Sequence, residues 1–189
     1  MKYFYCLALF LLTFSTTTVA QTSSLPSVEK KQFTYHFLTN FSYEAGVNRT
    51  STLRLSGPLT LGLLYETHID LVTGETHTNS YYYVSPTISG EFRHYYNLKK
   101  RQEQGKRVDK NSGNFVAPIA KLYGPALIKS NNADVPDFLA ALGAVWGIHR
   151  NYGKSFNFQL SLGPGIGFLD GTASFVPIGD LSLGFRIGK

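Results

Sequence analysis

The sequence predicts an all-β protein, an antiparallel up-and-down transmembrane β-barrel, most simply with eight strands. Three observations carry this prediction: an export signal at the N-terminus, long segments of alternating apolar and polar residues, and an unusual composition. Of the 189 residues, 43% are hydrophobic and 14% aromatic, but only 16% are charged, whereas ordinary soluble domains carry roughly 25% charged residues. This composition excludes a disordered chain, and the length suits a single domain.

The first 20 residues have the three parts of a secretory signal peptide: a basic residue, an apolar stretch and a small residue before the cleavage point. The apolar stretch is shorter than the roughly 20 residues that a membrane-spanning helix needs. Cleavage after Ala20 would remove Cys6, the single cysteine. The exported chain would then form neither a disulfide nor a thiolate metal site. We predict a signal peptide at 1–20, a short N-terminal segment at 21–30 and a barrel domain at 31–189.

The rest of the chain repeats one pattern, which is clearest at residues 155–168. Phe, Leu and Ile occupy alternate positions there, and Ser, Asn, Gln and Gly stand between them. Residues 52–69 and 175–187 show the same alternation. Because successive side chains of a strand point to opposite faces, each segment has one apolar face and one polar or small face.

These segments are longer than the five or six residues typical of strands in soluble sandwiches. Their length matches tilted strands that cross a bilayer with the apolar face toward lipid and the polar face toward a narrow lumen. A soluble lipocalin-like barrel has the opposite arrangement, with an apolar lumen and a polar exterior. The pattern and the export signal together favour the membrane barrel.

The predicted number of strands follows from the rule that such barrels have an even number of them. The clear segments are seven, namely 40–48, 52–68, 80–95, 114–128, 138–150, 155–168 and 175–188. Because single-chain bacterial barrels have an even number of strands, we expect an eighth strand at 31–37. A connection at 38–40 would then place Phe37 opposite Phe41. The alternative is one continuous strand over 33–47.

The run FRHYYNLKK at 92–100, followed by RQEQGKR and by NSGNF at 111–115, resembles the central signature of small outer-membrane β-barrel proteins common in Bacteroidetes. The segments FSYE at 41–44 and LGFRIG at 183–188 resemble the beginning and the end of the same proteins. The resemblance covers most of residues 33–188. It implies a porin-like barrel of the eight-stranded type, in a family whose members mostly lack an assigned activity. Lys189 departs from the aromatic residue that usually ends such barrels.

Charged residues in the polar phase of the strands define the candidate site. A charge that faces lipid at mid-membrane costs about 2–4 kcal/mol, so these side chains should point into the lumen and pair there with opposite charges. We expect this lumen charge network to plug the barrel. Its predicted members are Glu44, Arg54, Glu66, Glu91, Arg93, Asp180 and Arg186.

Other motifs give weak signals for chemistry. The five histidines lack the spacing of a metal site, and the GPGIG run at 163–167 lacks the following helix of a nucleotide-binding loop. His149 and Ser155 are the pair to inspect for a lipid-modifying enzyme. The basic run at 99–107 favours a solvated turn, with attraction to anionic headgroups as its functional alternative. We predict no catalytic residue, no metal and no cofactor.

The sequence therefore predicts a non-enzymatic protein of the Gram-negative outer membrane with a structural, envelope or surface-interaction role. Its expected partners are outer-membrane lipid and the barrel-assembly machinery, and no nucleic acid. The alternatives are an exported soluble barrel that binds a small apolar ligand, and a lipid-modifying barrel enzyme. Outer-membrane barrels keep short turns in the periplasm and longer loops outside. By strand parity the connection 97–112 lies on the same side as the short turns 48–51 and 151–155, so we place it in the periplasm despite its length, and Glu75, Asn131 and Asp170 at the cell surface.

Overall fold

The structure is a computed structural model that describes residues 25–37, 40–69, 76–130, 137–169 and 171–187, with the backbone alone at 63–69 and 77. The predicted signal peptide lies outside these ranges, as do the predicted surface positions Glu75, Asn131 and Asp170. Within the described residues, no helix has the length and apolar character needed to cross a membrane.

The described chain is all-β, as predicted, and its strands form one antiparallel sheet. One short helix, α1 (Leu98–Glu103), interrupts the series. The ten strands are β1 (Lys31–His36), β2 (Asn40–Gly46), β3 (Ser51–Gly57), β4 (Leu59–Ile69), β5 (Thr76–Tyr95), β6 (Asn114–Tyr123), β7 (Ile128–Lys129), β8 (Leu139–Tyr152), β9 (Phe156–Leu169) and β10 (Thr172–Ile187).

Most strands pair with their neighbours in the chain, and four pairings join strands that are not consecutive: β1 with β10, β3 with β5, β5 with β7 and β6 with β8. The first strand, β1, lies between β2 and the last strand, β10, with Phe33 opposite Ile187. On the other side, β3 pairs with both β2 and β5. The remaining order is β5, β6, β8, β9 and β10, and β4 and β7 each pair with β5. The first and the last strand of the described chain are therefore side by side.

The sheet has ten strands where eight were predicted, and the difference has two sources. The predicted segment 52–68 is divided into β3 and β4 at Pro58, which has no N–H for the ladder. The register against β5 does not change there, since Ser56 lies opposite Ser89 and Leu59 opposite Pro86. The second source is β7, because the predicted segment 114–128 ends at Tyr123 and residues 128–129 form a separate short strand.

The predicted strand at 31–37 is confirmed, and the alternative of one continuous strand over 33–47 is wrong, because β1 and β2 form an antiparallel hairpin. The expected pairing of Phe37 with Phe41 is also wrong. His36 pairs with Asn40, so Phe41 lies opposite Tyr35. The connection thus begins at Phe37, one residue earlier than expected, and the Phe37 ring packs on Phe185 with 5.3 Å between centroids.

The predicted turn at 97–112 contains structure that the sequence analysis did not anticipate. Helix α1 occupies its first half and buries Leu98. In its second half, Lys110 and Asn111 adopt left-handed backbone angles, with φ of 55° and 61°. Lysine rarely adopts this conformation outside a tightly held turn. The connection is therefore an ordered part of the fold.

The polarity of the two faces of the sheet is the reverse of that in a soluble protein, because the buried face is polar and the exposed face is apolar. Along β5, the buried positions alternate and are mostly polar: Ser85, Thr87, Ser89, Glu91, Arg93 and Tyr95. Along β9, Asn157, Gln159 and Ser161 are buried while Leu160, Leu162 and Ile166 are exposed. The predicted alternation is confirmed, and it is the polar side that is buried. We call the two sides the buried face and the exposed face.

Glycines on the buried face bring strands close together. A methyl group on Gly163 would overlap the carbonyl oxygen of Ala144 on β8. On Gly179 of β10, which lies on the exposed face, it would make only ordinary contacts, with Leu162 Cδ1 at 3.5 Å and Ser161 O at 3.8 Å.

We therefore expect Gly163→Ala to lower the free energy of unfolding by about 1–3 kcal/mol, since overpacking displaces backbone. The matched variant Gly179→Ala should change it by less than about 0.5 kcal/mol. Urea titration of both variants measures the difference, and equal midpoints would contradict the close approach of β8 and β9.

Candidate functional site

Four charged side chains meet on the buried face and form what we call the ion-pair quartet: Glu44 on β2, Arg54 on β3, and Glu91 and Arg93 on β5. Arg54 Nη1 donates to Glu91 Oε1 at 2.6 Å, and Arg93 Nε donates to Glu91 Oε2 at 2.8 Å. Arg93 Nη1 lies 3.6 Å from Glu44 Oε2. Each side chain is at most 3% exposed. Two acids and two bases balance, so the quartet is neutral overall.

The strand register explains why these residues meet. Arg54 lies directly opposite Glu91 on the neighbouring strand, and Glu44 lies opposite Arg54 on the other side. Arg93 follows Glu91 by two positions and so shares its face. Alternation and pairing together place all four groups within one layer of the buried face.

Glu44 has three further donors. Thr52 Oγ1, Tyr95 OH and Asn111 Nδ2 all donate to its Oε1, at 2.6, 2.8 and 2.9 Å. Hydrogen bonds to an ionised carboxylate are about twice as strong as neutral ones. This carboxylate is therefore held in place from two strands and from the connection after β5.

A chain of polar side chains extends from the quartet toward β8 and β9. Arg93 Nη2 donates to Gln159 Oε1 at 2.9 Å, and its guanidinium lies 4.2 Å from the centre of the Phe115 ring. Gln159 Nε2 donates to Asn157 Oδ1 at 3.0 Å, and Asn157 also contacts the His149 ring. The chain thus leads from Arg93 on β5 to β9 and then to His149 on β8, while Arg93 Nη1 has no hydrogen-bond partner among the described residues.

A second chain runs from Arg54 toward β1 and β10. Arg54 Nη2 lies 3.3 Å from His36 Nε2, which also contacts Ser42 Oγ at 2.8 Å. Ser182 Oγ contacts the other ring nitrogen of His36. Polar contacts from the quartet therefore reach β1, β2, β3, β5, β9 and β10.

The connection between β5 and β6 covers one side of this network. Asn111 is fully buried, and its Oδ1 accepts the backbone N–H of Glu29 at 2.7 Å while its amide donates to Glu44. Asn151 Nδ2 donates to the Lys110 carbonyl at 2.6 Å. These contacts hold the left-handed residues in place and leave the network shielded by the connection.

The structure brings together four of the seven predicted network residues: Glu44, Arg54, Glu91 and Arg93. Asp180 and Arg186 are half-buried in the predicted phase of β10. Among the described residues no ion pair joins either of them to the quartet, and Arg186 Nε is buried without a hydrogen-bond partner. The side chain of Glu66 lies outside the described residues.

Sequence reasoning missed several members of the network. Tyr95 follows Arg93 by two positions and so shares its face, and His36, His149 and Gln159 occupy buried positions of their own strands. The period-two pattern was therefore the signal that would have found them. Asn111 lies in the connection between strands, where no period exists, and nothing in the sequence singled it out.

Within the part of the chain that the structure describes, the other candidate motifs form no second site. His149 is fully buried against Tyr95, at 3.0 Å, and Asn157, whereas Ser155 is exposed in a turn, and within the described residues no hydrogen bond joins the two. The glycines of the GPGIG run lie in β9 and not in a loop before a helix. Among the residues placed by the structure, no group of three or more His, Cys, Asp or Glu side chains is arranged to hold a metal.

Two open apolar grooves lie on the exposed face. Their volumes are about 460 and 500 Å³, and Trp146 and Leu162 border both. The grooves and the ion-pair quartet are thus on opposite sides of the sheet.

Comparison of the chain with protein-family models, with curated proteins and with solved structures finds no match.

The chemistry of the site follows from its geometry. The quartet is neutral, closely packed and shielded, and its carboxylates already accept several hydrogen bonds. Such an arrangement suits a fixed internal brace between strands.

Proposed function

We propose that this protein is an integral outer-membrane β-barrel without enzymatic activity, whose lumen is sealed by the ion-pair quartet and the polar chains around it. Its role would be structural in the envelope or in interaction at the surface. The proposal keeps the predicted export through an N-terminal signal peptide, the predicted outer-membrane location, and lipid and the barrel-assembly machinery as partners. It also keeps the resemblance to the small Bacteroidetes barrels as its family assignment.

The reversed polarity of the two faces carries the proposal. Among the described residues, thirty large hydrophobic side chains are exposed, against nine buried hydrophobic residues and twenty-one buried polar or charged ones. Burying one large apolar side chain is worth about 1.5–3 kcal/mol, so water is a poor solvent for this exposed face. A bilayer would cover it, and the buried polar face would line the lumen.

The strand pairings support closure of the wall. Starting at β1, the pairs lead through β2, β3, β5, β6, β8, β9 and β10, and β10 pairs with β1 again. Each of these eight strands therefore has a partner on both sides. This supports an eight-stranded wall in which β4 continues β3, as the even-number rule for such barrels requires.

The alternative functions receive less support. A soluble barrel for a small apolar ligand needs an apolar lumen, whereas the buried face holds the quartet, and the apolar grooves lie outside it. A lipid-modifying enzyme needs a nucleophile beside its base, and Ser155 does not contact His149. The soluble ligand-binding barrel is an alternative outcome of the gel test.

Heat-modifiable migration on a denaturing gel tests the barrel. The purified chain without residues 1–20, folded in detergent, should migrate faster when unheated than when boiled, because a closed membrane barrel resists dodecyl sulfate until heated. Identical migration of both samples, together with a soluble monomer in detergent-free buffer, would favour the soluble ligand-binding barrel instead.

Conductance in planar bilayers tests the seal. Because the quartet and its polar neighbours fill the lumen, the protein should insert without producing stable channels. Large, long-lived channels from protein that passes the gel test would refute the sealed lumen.

A further inference from the structure

A group of exposed cations lies at one end of the strands. We call it the basic collar and define it as Lys30, Lys31, Arg49, Lys100, Lys106 and Lys154, all exposed. They come from four segments: the start of β1, the β2–β3 turn, the β5–β6 connection and the β8–β9 turn. In an antiparallel sheet these four segments all lie at the same strand ends.

Hydrogen bonds tie these segments together. The Val28 N–H donates to the Arg49 carbonyl at 2.9 Å, and the Arg107 Nη1 donates to the Gly153 carbonyl at 2.8 Å. Lys110 Nζ reaches the carbonyl of Lys154. These contacts join the segment before β1 to the β2–β3 turn, and the β5–β6 connection to the β8–β9 turn.

The positive charge of the collar is not neutralised locally. Two neighbouring cations have carboxylate partners, since Lys99 lies 4.0 Å from Glu103, and Arg107 binds Asp109. The hydrogen bonds from Arg107 lower the pKa of the Asp109 carboxyl, so this carboxylate stays ionised and cancels Arg107. Within the described chain, no carboxylate lies within ion-pair distance of the six collar residues themselves.

The other strand ends carry a different balance. Their described residues include one exposed cation, Lys129 on the short strand β7, and one exposed anion, Asp137. Among the described residues the excess of positive charge thus lies at the collar end, and Lys129 offers a matched cation at the opposite end.

Amphipathic aromatic residues mark the boundary between the collar and the exposed apolar face. Tyr96 directly follows β5 and Tyr152 ends β8, and both are about half exposed. Trp146 Nε1 donates to Tyr96 OH at 2.7 Å. Tyr and Trp are enriched where a membrane protein meets the headgroup layer. The collar residues Lys100 and Lys154 follow Tyr96 and Tyr152 in the chain, beyond these strand ends.

We propose that the basic collar binds the anionic headgroups of lipids in the leaflet around this end of the barrel; this rests on the proposed membrane insertion. Cations beside a membrane surface attract anionic lipid, and the attraction falls off within a Debye length. The collar cations come from four separate segments next to strand ends, which suits several surrounding headgroups better than one soluble polyanion. Binding would fix the depth and tilt of the barrel in the bilayer.

Electron paramagnetic resonance with spin-labelled lipids tests the proposal. The mature chain is reconstituted in phosphatidylcholine vesicles with a trace of spin-labelled phosphatidylglycerol or phosphatidylcholine, and the motionally restricted fraction is compared. We expect a preference for phosphatidylglycerol of about twofold or more at low salt, decreasing toward one in 1 M salt, where the Debye length is about 3 Å.

The triple variant K100Q/K106Q/K154Q should lose most of this preference, and the matched variant K129Q should keep it. None of the three ammonium groups takes part in a described ion pair or hydrogen bond, so the fold should persist, and heat-modifiable migration checks it. Equal restriction of both labels by the original chain would overturn the proposal, as would an equal loss in K129Q. If the two spin-labelled lipids were equally restricted and the protein bound polyglutamate instead, the ligand of the collar would be a soluble polyanion. Absence of any restricted lipid would instead refute membrane insertion itself.

Discussion

Replacement of Glu91 by glutamine should lower the free energy of unfolding by about 3–5 kcal/mol, because removing one member of a buried ion pair leaves its partners uncompensated. Glu91 binds both Arg54 and Arg93 through separate oxygens, at 2.6 and 2.8 Å. Glutamine keeps the shape of the side chain but loses the charge and one acceptor. Urea titration in detergent, followed by the fluorescence of Trp146, the single tryptophan, measures the change.

Glu103→Gln is the matched control. Glu103 also faces a cation, Lys99, but at 4.0 Å and with 63% of its side chain exposed. Exposed pairs of this kind contribute about 0.3–0.5 kcal/mol, so this variant should unfold almost at the original urea concentration. If the two variants proved equally stable, the quartet would not brace the strands.

The charges of the quartet were predictable because a strand has a period of two. Arg54 and Glu91 each stand between apolar neighbours in sequence, so alternation alone assigned them to one face. The cost of an unpaired charge then predicted that they would pair. The identity of each partner depended on register, which the hydrophobic pattern and the turns define only in part.

The features that could not be predicted from the sequence depend on connections and backbone effects that lie outside the regular strands. Asn111 reaches Glu44 because the β5–β6 connection folds back over the network, and Phe37 misses Phe41 because the hairpin connection begins one residue early. Pro58 divides a segment whose side-chain pattern is uninterrupted, since only its missing N–H breaks the ladder. Side-chain periodicity carries no information about such backbone effects.

A charged residue introduced on the exposed face should distinguish a membrane barrel from a soluble one. Leu162 lies on β9 between the two apolar grooves and is 63% exposed. In water, Leu162→Arg would be an ordinary surface substitution with an effect within about 0.5 kcal/mol. If the exposed face contacts lipid near mid-membrane, it should cost about 2–4 kcal/mol. Unfolding by urea from lipid vesicles, read by the fraction of fast-migrating protein, measures this cost.

Val47→Arg supplies the comparison, because Val47 has a similar exposure of 59% but lies in the β2–β3 turn beside the basic collar. An arginine there would sit at the headgroup layer, where charges cost no more than about 1 kcal/mol. If the protein is a membrane barrel, Leu162→Arg should therefore lower the free energy of unfolding more than Val47→Arg, although the two positions are about equally exposed. The two losses should be equal only if no bilayer covers Leu162. Equal, small effects of both substitutions would leave the exposed face in water and favour the soluble ligand-binding barrel.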